Sequence, residues 1–256
     1  MEDNDKKNID LAKLNTATKY PSIKTYHVME EGKLKEERNF DFGSDPLIVT
    51  EKIDGTNARV VITSDGWFIG GRNELLGYQG DVLYNNENKV VDTLREWAEN
   101  NTDRLIEPNS VIVCYFEVYG GRINAHKQYT SVGNVGFRIF DAWRMRNFPG
   151  FLASKTESQL SLWRDNNQQR WMTSDQLDAF AFEYNLKRVP LLSPCVLPAS
   201  LEGASNLLNN YKVSLAALDE GGLRHSEGIV VRNEDRSKIA KLRFYDYQKA
   251  TKNGAK

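Results

Sequence analysis

Several charged residues of this chain sit at the edge of apolar, β-forming runs, where a side chain can be held for chemistry. Lys52 stands in Glu51-Lys52-Ile53-Asp54-Gly55-Thr56-Asn57-Ala58-Arg59, between Leu47-Ile48-Val49 and Val60-Val61-Ile62. A lysine at a strand end beside a glycine turn can be presented to a ligand, although alone it reads equally as a solvated surface lysine. Glu117 lies inside Tyr115-Phe116-Glu117-Val118-Tyr119, and Glu227 opens Glu227-Gly228-Ile229-Val230-Val231. A carboxylate in such a run must be paired or ligating, and structural pairing is the plainer alternative. Lys241 and Arg243 are two residues apart, so on a strand they face one side. A phosphate would balance them there, and a solvated outer face is the other reading. Arg72 follows Gly70-Gly71, where backbone and guanidinium can approach a ligand closely, or it is an exposed turn residue. Phe140, near Phe137 and Trp143, is either core or a plate for a base, a contact worth ~1–3 kcal/mol per base.

As a set these residues suit nucleotidyl transfer. That chemistry needs cations on phosphates, acidic groups for Mg²⁺ or ribose hydroxyls, and a group that attacks the α-phosphorus. A lysine attacks only as the free amine. Lys241, Arg243 and a metal ion beside Lys52 would favour that form.

The elements that must hold these residues are legible in outline. Residues 47–51 and 58–63 read as strands, and Ser64-Asp65-Gly66 as a hairpin turn leading into a return strand over 67–70. Val90, Val91, Leu94 and Trp97 have helical spacing, which predicts an amphipathic helix over 88–99. Residues 110–118 and 135–143 read as apolar strands, and Gly120-Gly121 ends the first. A polar helix is expected within 158–170, and Thr173 or Ser174 caps another that carries Leu177, Phe180, Ala181 and Tyr184. Residues 189–198 are Pro-broken and extended, and 203–218 read as helical up to Gly221-Gly222. A last β pair covers 228–232 and 238–244. Residues 1–18 read as a flexible leader, and the charged cluster 30–37 as a solvated face or loop. The expected fold class is α+β: one domain over 19–256.

Composition sets the outer limits. The 256 residues can bury a sizeable core, and 40% apolar with 27% charged residues is ordinary for a soluble protein. A net charge of −1 gives no global basic field, so any nucleic acid must meet a local patch. Two distant cysteines, Cys114 and Cys195, suggest neither disulfides nor a zinc site and fit a reducing compartment. The three histidines have no metal-ligand spacing. No signal-peptide pattern is present, and no run approaches the ~18 apolar residues of a membrane span.

The order of the motifs resembles the covalent nucleotidyltransferase superfamily of ATP-dependent ligases and mRNA capping enzymes. Within it the chain looks most like the RNA ligase 2 family. Glu51-Lys52-Ile53-Asp54-Gly55-Thr56-Asn57 matches the nucleophile motif. Gly71-Arg72 matches the second motif, Phe116 to Gly120 the third, and Phe137 to Asp141 the next. Glu227 to Val231 and Ala240-Lys241-Leu242-Arg243 match the last two. Lys19-Tyr20-Pro21-Ser22-Ile23 resembles the family's opening segment. The likeness runs over about 19–245, and Asn57, where DNA ligases usually carry Arg, favours the RNA branch.

The resemblance implies a nucleotidyltransferase (ATP-grasp-like ligase) domain of antiparallel β-sheets flanked by helices, with ATP and Mg²⁺ or Mn²⁺ as cofactors. It implies that Lys52 attacks the ATP α-phosphate to form lysyl-AMP. Glu51 would read the adenine edge, Phe140 would stack on the purine and Glu117 would bind the ribose. Glu227 would support the metal, while Lys241 and Arg243 would hold the α-phosphate. Asn57 and Arg72 would act when AMP moves to an RNA 5′-phosphate and a 3′-hydroxyl displaces it. The implied partner is RNA with 3′-hydroxyl and 5′-phosphate ends, nicked or single-stranded, in the cytoplasm of a phage-infected or bacterial cell.

Three departures stand out. Arg243 replaces the usual second lysine of the last motif, which keeps charge but not shape. The usual basic pair around Arg72 reads Gly-Arg-Asn. Residues 244–256 hold neither an oligonucleotide-binding (OB) β-barrel nor a helical C-terminal domain, so a minimal ligase, a truncation or one subunit of an assembly is expected. Trp163-Arg164 to Arg170-Trp171 is a candidate RNA contact that would compensate, with a core or surface helix as the plainer reading. Other readings are an ATP-dependent DNA ligase, a GTP-using capping enzyme, and a non-catalytic RNA-end-binding module.

Overall fold

The alternation of Leu47-Ile48-Val49-Thr50-Glu51-Lys52 is that of a half-buried strand, and every second residue of it is buried. The computed structural model describes residues 9–79, 81–82 and 89–253. In chain order its elements begin with α1 (Leu11–Thr18), β1 (Lys24–Thr25), β2 (His27–Glu30), β3 (Lys33–Arg38), β4 (Leu47–Lys52), β5 (Thr56–Thr63), β6 (Gly66–Gly70), β7 (Leu75–Tyr78) and β8 (Asp81–Val82). They continue with α2 (Val90–Leu105), β9 (Ser110–Gly120), β10 (Val135–Arg146), α3 (Phe148–Ala153), α4 (Glu157–Asp165) and α5 (Ser174–Glu183). The last are β11 (Leu191–Cys195), α6 (Leu201–Leu208), β12 (Gly228–Arg232), β13 (Ile239–Arg243) and α7 (Phe244–Asn253). This is the mixed α+β class expected.

The chain forms two compact units, each built from three separated segments. The first contains residues 1–21, 56–118 and 139–172; the second contains 22–55, 119–138 and 173–256. Because the segments interleave, no linker or change of composition marks the division, and the sequence read as one domain.

In the first unit the sheet has the order β10-β9-β5-β6-β7-β8, with the ends of β9 and β10 running into residues of the second unit. The Ser64-Asp65-Gly66 turn closes the β5–β6 hairpin, with Gly66 at φ +103°. The helix α2 packs on β5 and β6 through its apolar stripe, which includes Val90, Val91, Leu94 and Trp97. The other face of the sheet carries a core of Val61, Phe68, Val113, Tyr115, Trp143, Phe148 and Trp163. Two residues of the expected leader join it: Leu14 and Ala17 of α1 are fully buried. Asp10 caps this helix by accepting from the Lys13 amide at 3.1 Å. From Ile9 onward the leader is therefore docked on the core rather than flexible; residues 1–8 lie outside the described residues.

Of the two readings of 163–171, the packing follows the core one. Trp163 packs edge-on against Trp143 at 5.7 Å inside this core. The Arg164 guanidinium donates to the Thr16 carbonyl at 2.9 Å and pairs with Asp165. Trp171 sits against Tyr20 and Tyr115, both at 5.6 Å. These aromatics build the hydrophobic interior and are not arranged as a plate for RNA.

The second unit holds a five-stranded sheet in the order β1-β13-β12-β4-β11 and the hairpin β2-β3. The strand β1 joins β13 in parallel, which departs at one edge from the antiparallel expectation. One face of the sheet buries Val49, Ile229, Val231, Ala240 and Leu242 with Leu208 of α6 and Tyr247 of α7. The charged cluster 30–37 lies largely in the β2–β3 hairpin, and the side chains of β3 are exposed except Leu34. The helix expected over 203–218 stops at Leu208, because Val213 turns away to bridge His225 in an extended pairing. Thr173 caps α5 through a capping box with Gln176. Among the described residues, no helix is long and apolar enough to cross a membrane.

Candidate active site

Three neighbouring strands of the second unit position the candidate residues Lys52, Lys241 and Arg243. Gly228 of β12 pairs with Lys52 of β4 on one side and with Arg243 of β13 on the other. One step along, Val230 pairs with Thr50 and with Lys241. Residues directly opposite each other in a sheet share a face, as do residues two apart. Lys52, Lys241 and Arg243 therefore project from the same face, opposite the one that buries Val49, Ile229 and Leu242.

Glycine at 228 is what lets the row form. A Cβ there would stand 2.0 Å from the Leu242 carbonyl oxygen and 2.8 Å from the Arg243 Cα. Gly228→Ala is expected to force β12 from β13, lowering the thermal unfolding midpoint and the yield of covalent nucleotide together. Unchanged values of both would contradict this packing.

Lys52 Nζ donates to Glu227 Oε2 at 2.5 Å, with both side chains about one-fifth to one-quarter exposed. The Glu227 amide in turn donates to the Lys52 carbonyl at 3.3 Å, and the Glu227 carbonyl accepts from Phe244 at 3.0 Å. Lys52 and Glu227 are thus held by backbone as well as by their own ion pair. Arg243 is engaged side-on by Asp246, with Nε–Oδ2 at 2.7 Å and Nη2–Oδ1 at 3.0 Å. That hydrogen-bonded pair raises the Arg243 pKa, with Glu227 and Asp54 adding to it. On this face Glu227 pairs with Lys52 and Asp246 with Arg243, and Asp54 adds negative charge near Arg243.

Glu51 is the chain neighbour of Lys52. It lies on the opposite face of β4 from Lys52, buried, and pairs across the sheet with Ile229. Its Oε1 accepts from Ser214 Oγ at 2.5 Å and its Oε2 from the Leu215 amide at 2.8 Å. The carboxylate ties the 214–215 turn to β4. Burial raises the Glu51 pKa, partly offset by those two hydrogen bonds and by Arg138. With the folded pKa above the free value of ~4.3, the folded state holds a proton that the unfolded state has released. Stability from this group therefore falls as pH rises between the two values. Glu51→Gln should flatten that part of the curve of unfolding midpoint against pH, and an unaltered slope would contradict the burial argument.

Three residues at the turn after Lys52 were not singled out from sequence: Asp54, Tyr129 and Asn124. Tyr129 accepts from the Asp54 amide at 2.7 Å, and burial pushes its phenol pKa upward. It anchors the turn after Lys52, together with Asn124, which donates to the Gly55 carbonyl at 2.5 Å. Asp54 stood inside the quoted motif, and its position beside an attacking lysine was the available signal. Nothing local pointed to Tyr129, which reaches the turn from 75 residues away.

The remaining candidates lie in the first unit. Asn57 of β5 pairs across the sheet with Glu117 of β9, so the two share a face. The Asn57 Oδ1 atom is buried without a hydrogen-bond partner among the described residues, a cost of ~1–3 kcal/mol that a ligand donor would remove. Phe140 is partly buried, edge-on to Tyr20 at 5.0 Å and stacked near Tyr115 at 6.3 Å. It belongs to an aromatic cluster rather than standing as a lone plate. Arg72 is exposed in the turn between β6 and β7.

A model of the RNA ligase family matches residues 45–244, most of the chain. The chain belongs to the RNA ligase family. Its fold is similar to that of the Naegleria gruberi RNA ligase with PPi, at 16% identity and a TM-score of 0.59, covering 93% of this chain and 59% of that one. It is also similar to two mutants of that ligase with ATP and Mn. One has 17% identity, a TM-score of 0.56 and coverage of 91% and 63%; the other has 18%, 0.55, 91% and 64%. The chain spans about three fifths of the length of these ligases. No curated protein matched the sequence. At such identity the likeness is one of fold, and the nucleotidyltransferase expectation for the fold holds.

Among the described residues no cluster of three or more His, Cys, Asp or Glu could hold a metal alone. The donor set at the Lys52 face is Glu227 with Asp54. That suits Mg²⁺, which usually takes one or two carboxylates and completes its shell with phosphate oxygens and water.

Proposed function

We propose that this chain is an ATP-dependent RNA ligase that joins a 3′-hydroxyl to a 5′-phosphate through lysyl-AMP and an RNA-adenylate. The supporting observation is the Lys52–Glu227 pair, set beside Lys241 and Arg243 on one sheet face within the span that matches the family.

In the proposed first step Lys52 Nζ attacks the ATP α-phosphorus. A P–N bond forms, the bond to the β-phosphate bridging oxygen breaks, and pyrophosphate leaves. Lys52 must lose a proton, and Glu227 is the acceptor already on that nitrogen. Lys241 and Arg243 take the negative charge that grows on the α-phosphate oxygens, the electrostatic role that such cations fill in phosphoryl transfer. Asp246 holds the Arg243 fork in place. A divalent cation held by Glu227 would add charge neutralisation on the phosphates.

The first unit's residues keep the roles that the resemblance implies: Glu117 on the ribose, Phe140 on the purine, and Asn57 and Arg72 in the RNA steps. In these an RNA 5′-phosphate oxygen attacks the lysyl-AMP phosphorus and frees the lysine. The RNA 3′-hydroxyl then attacks that 5′-phosphate and expels AMP. The adenine-reading role of Glu51 also stays a proposal, made from a carboxylate that is tied to the 214–215 turn. A cytoplasmic setting in a phage-infected or bacterial cell agrees with the two free cysteines.

The test offers α-labelled ATP or GTP to the protein with Mg²⁺ or Mn²⁺, then nicked duplex RNA, single-stranded RNA or nicked DNA. Covalent label from ATP and sealing of RNA are expected. Label from GTP alone would favour a capping enzyme, and sealing confined to DNA would favour a DNA ligase. No label, with RNA-end binding kept in Lys52→Ala, would favour a binding module.

A further inference from the structure

Arg59 lies two residues beyond Asn57 on the same face of β5 and is fully buried. Among the described residues its guanidinium forms no salt bridge with a carboxylate. Nη1 donates to the Gly71 carbonyl and, at 3.5 Å, to the Arg72 carbonyl. Nη2 donates to Asn15 Oδ1 at 2.5 Å. Asn15, on α1, passes the restraint on: its Nδ2 donates to the Asn73 carbonyl at 3.2 Å and to Glu74 Oε2 at 2.9 Å. The turn closes on itself through the Gly71 amide and the Glu74 carbonyl at 2.9 Å. Three successive carbonyls, of residues 71, 72 and 73, are thus tied from beneath, while the Arg72 side chain stays exposed.

Burial of a guanidinium is costly, and an apolar residue would fill a strand position more cheaply. What the guanidinium supplies is a rigid fork of donors able to hold carbonyls and an amide at once, which lysine cannot copy. Gly70 makes room for it, since a Cβ there would come within 2.9 Å of Arg59 Cζ. Burial pushes Arg59 down only to about 10, so it stays charged at neutral pH.

We propose that Arg59 and Asn15 are positioning residues that set the turn 71–74, and through it the reach of Arg72, for the RNA-dependent steps. This rests on the reading of the chain as an RNA ligase with Arg72 acting after lysyl-AMP forms. It also gives α1 a role, since the segment read as a leader supplies one of the two clamps.

The test separates the steps. Lysyl-AMP formation from ATP is measured first. AMP transfer and sealing are then followed in a single turnover, starting from the adenylated protein and 5′-phosphorylated RNA. Arg59→Lys is expected to leave lysyl-AMP formation within about twofold and to slow the RNA steps roughly tenfold or more, the scale set by misplacing a contact group. Asn15→Ala should act in the same direction by a smaller factor, and it serves if Arg59→Lys does not fold. Neither should slow the RNA steps further in an Arg72→Ala background.

Equal slowing of both stages, or full additivity with Arg72→Ala, would overturn the proposal. So would wild-type RNA steps in Arg72→Ala alone, with the ligase reading left standing. A wild-type protein that forms lysyl-AMP but transfers none to RNA would remove the ligase reading, and the proposal with it.

Discussion

Lys52→Ala protein incubated with α-labelled ATP and a divalent cation should take up no covalent label, where the wild type forms a stable adduct. The loss should be complete, because Lys241, the other lysine placed on this face, stands one row away across the sheet, opposite Val230 rather than Gly228. Lys52→Arg should fail equally. It keeps the positive charge that pairs with Glu227, but a guanidinium is not deprotonated in proteins and cannot attack. The two variants together separate the need for a nucleophile from the need for a cation. Both should fold, since the Lys52 side chain is partly exposed and the strand is held by backbone pairing on both sides. Thermal unfolding close to wild type, with no label, is the expected pair of results. Label retained by Lys52→Ala would mean that the adduct forms elsewhere and would remove the basis of the proposed mechanism.

The same sheet face shows what can be read from a sequence and what cannot. The period of two placed Lys241 and Arg243 together without any structure, because that relation lies within one strand. The β-branched runs around Lys52 located β4 and β5 to within two residues at their starts. What stayed hidden was non-local. Nothing near Lys52 in the chain indicates that Gly228, 176 positions on, is its cross-strand partner or that this glycine must lack a Cβ.

Glu51 shows the limit of a motif. It stands next to Lys52 in the chain, yet strand alternation turns it to the other face, where its partner Ser214 comes from a distant turn. Arg243 shows another limit. Asp246 is only three residues away, but the pairing depends on β13 passing directly into α7. The leader was missed because eight residues make a helix too short to show strong periodicity; it is held by tertiary burial of Leu14 and Ala17. Over 163–171 the core reading and the RNA reading both stayed open, because a tryptophan is the same residue whether its ring meets RNA or a core.

The second large effect is expected at Glu227. Glu227→Gln keeps the length of the side chain and can still meet Lys52 Nζ through its carbonyl oxygen, but it carries no charge and is a poor proton acceptor. Lysyl-AMP formation should fall by roughly 10²–10⁴-fold, the usual range for loss of a positioned acid–base group. Glu227→Ala should fall at least as far, because it also leaves Arg243 and Lys52 with one fewer carboxylate between them. The contrast with Asp246→Asn is informative. Asp246 touches Arg243 and not the nucleophile, so its loss should free the guanidinium and weaken the hold on the α-phosphate while leaving the Lys52–Glu227 pair in place. A much larger defect in Glu227→Gln than in Asp246→Asn would support proton acceptance and cation support at Glu227. Equal defects would instead mean that the site depends on its overall balance of charge, since each variant removes one carboxylate from the same face.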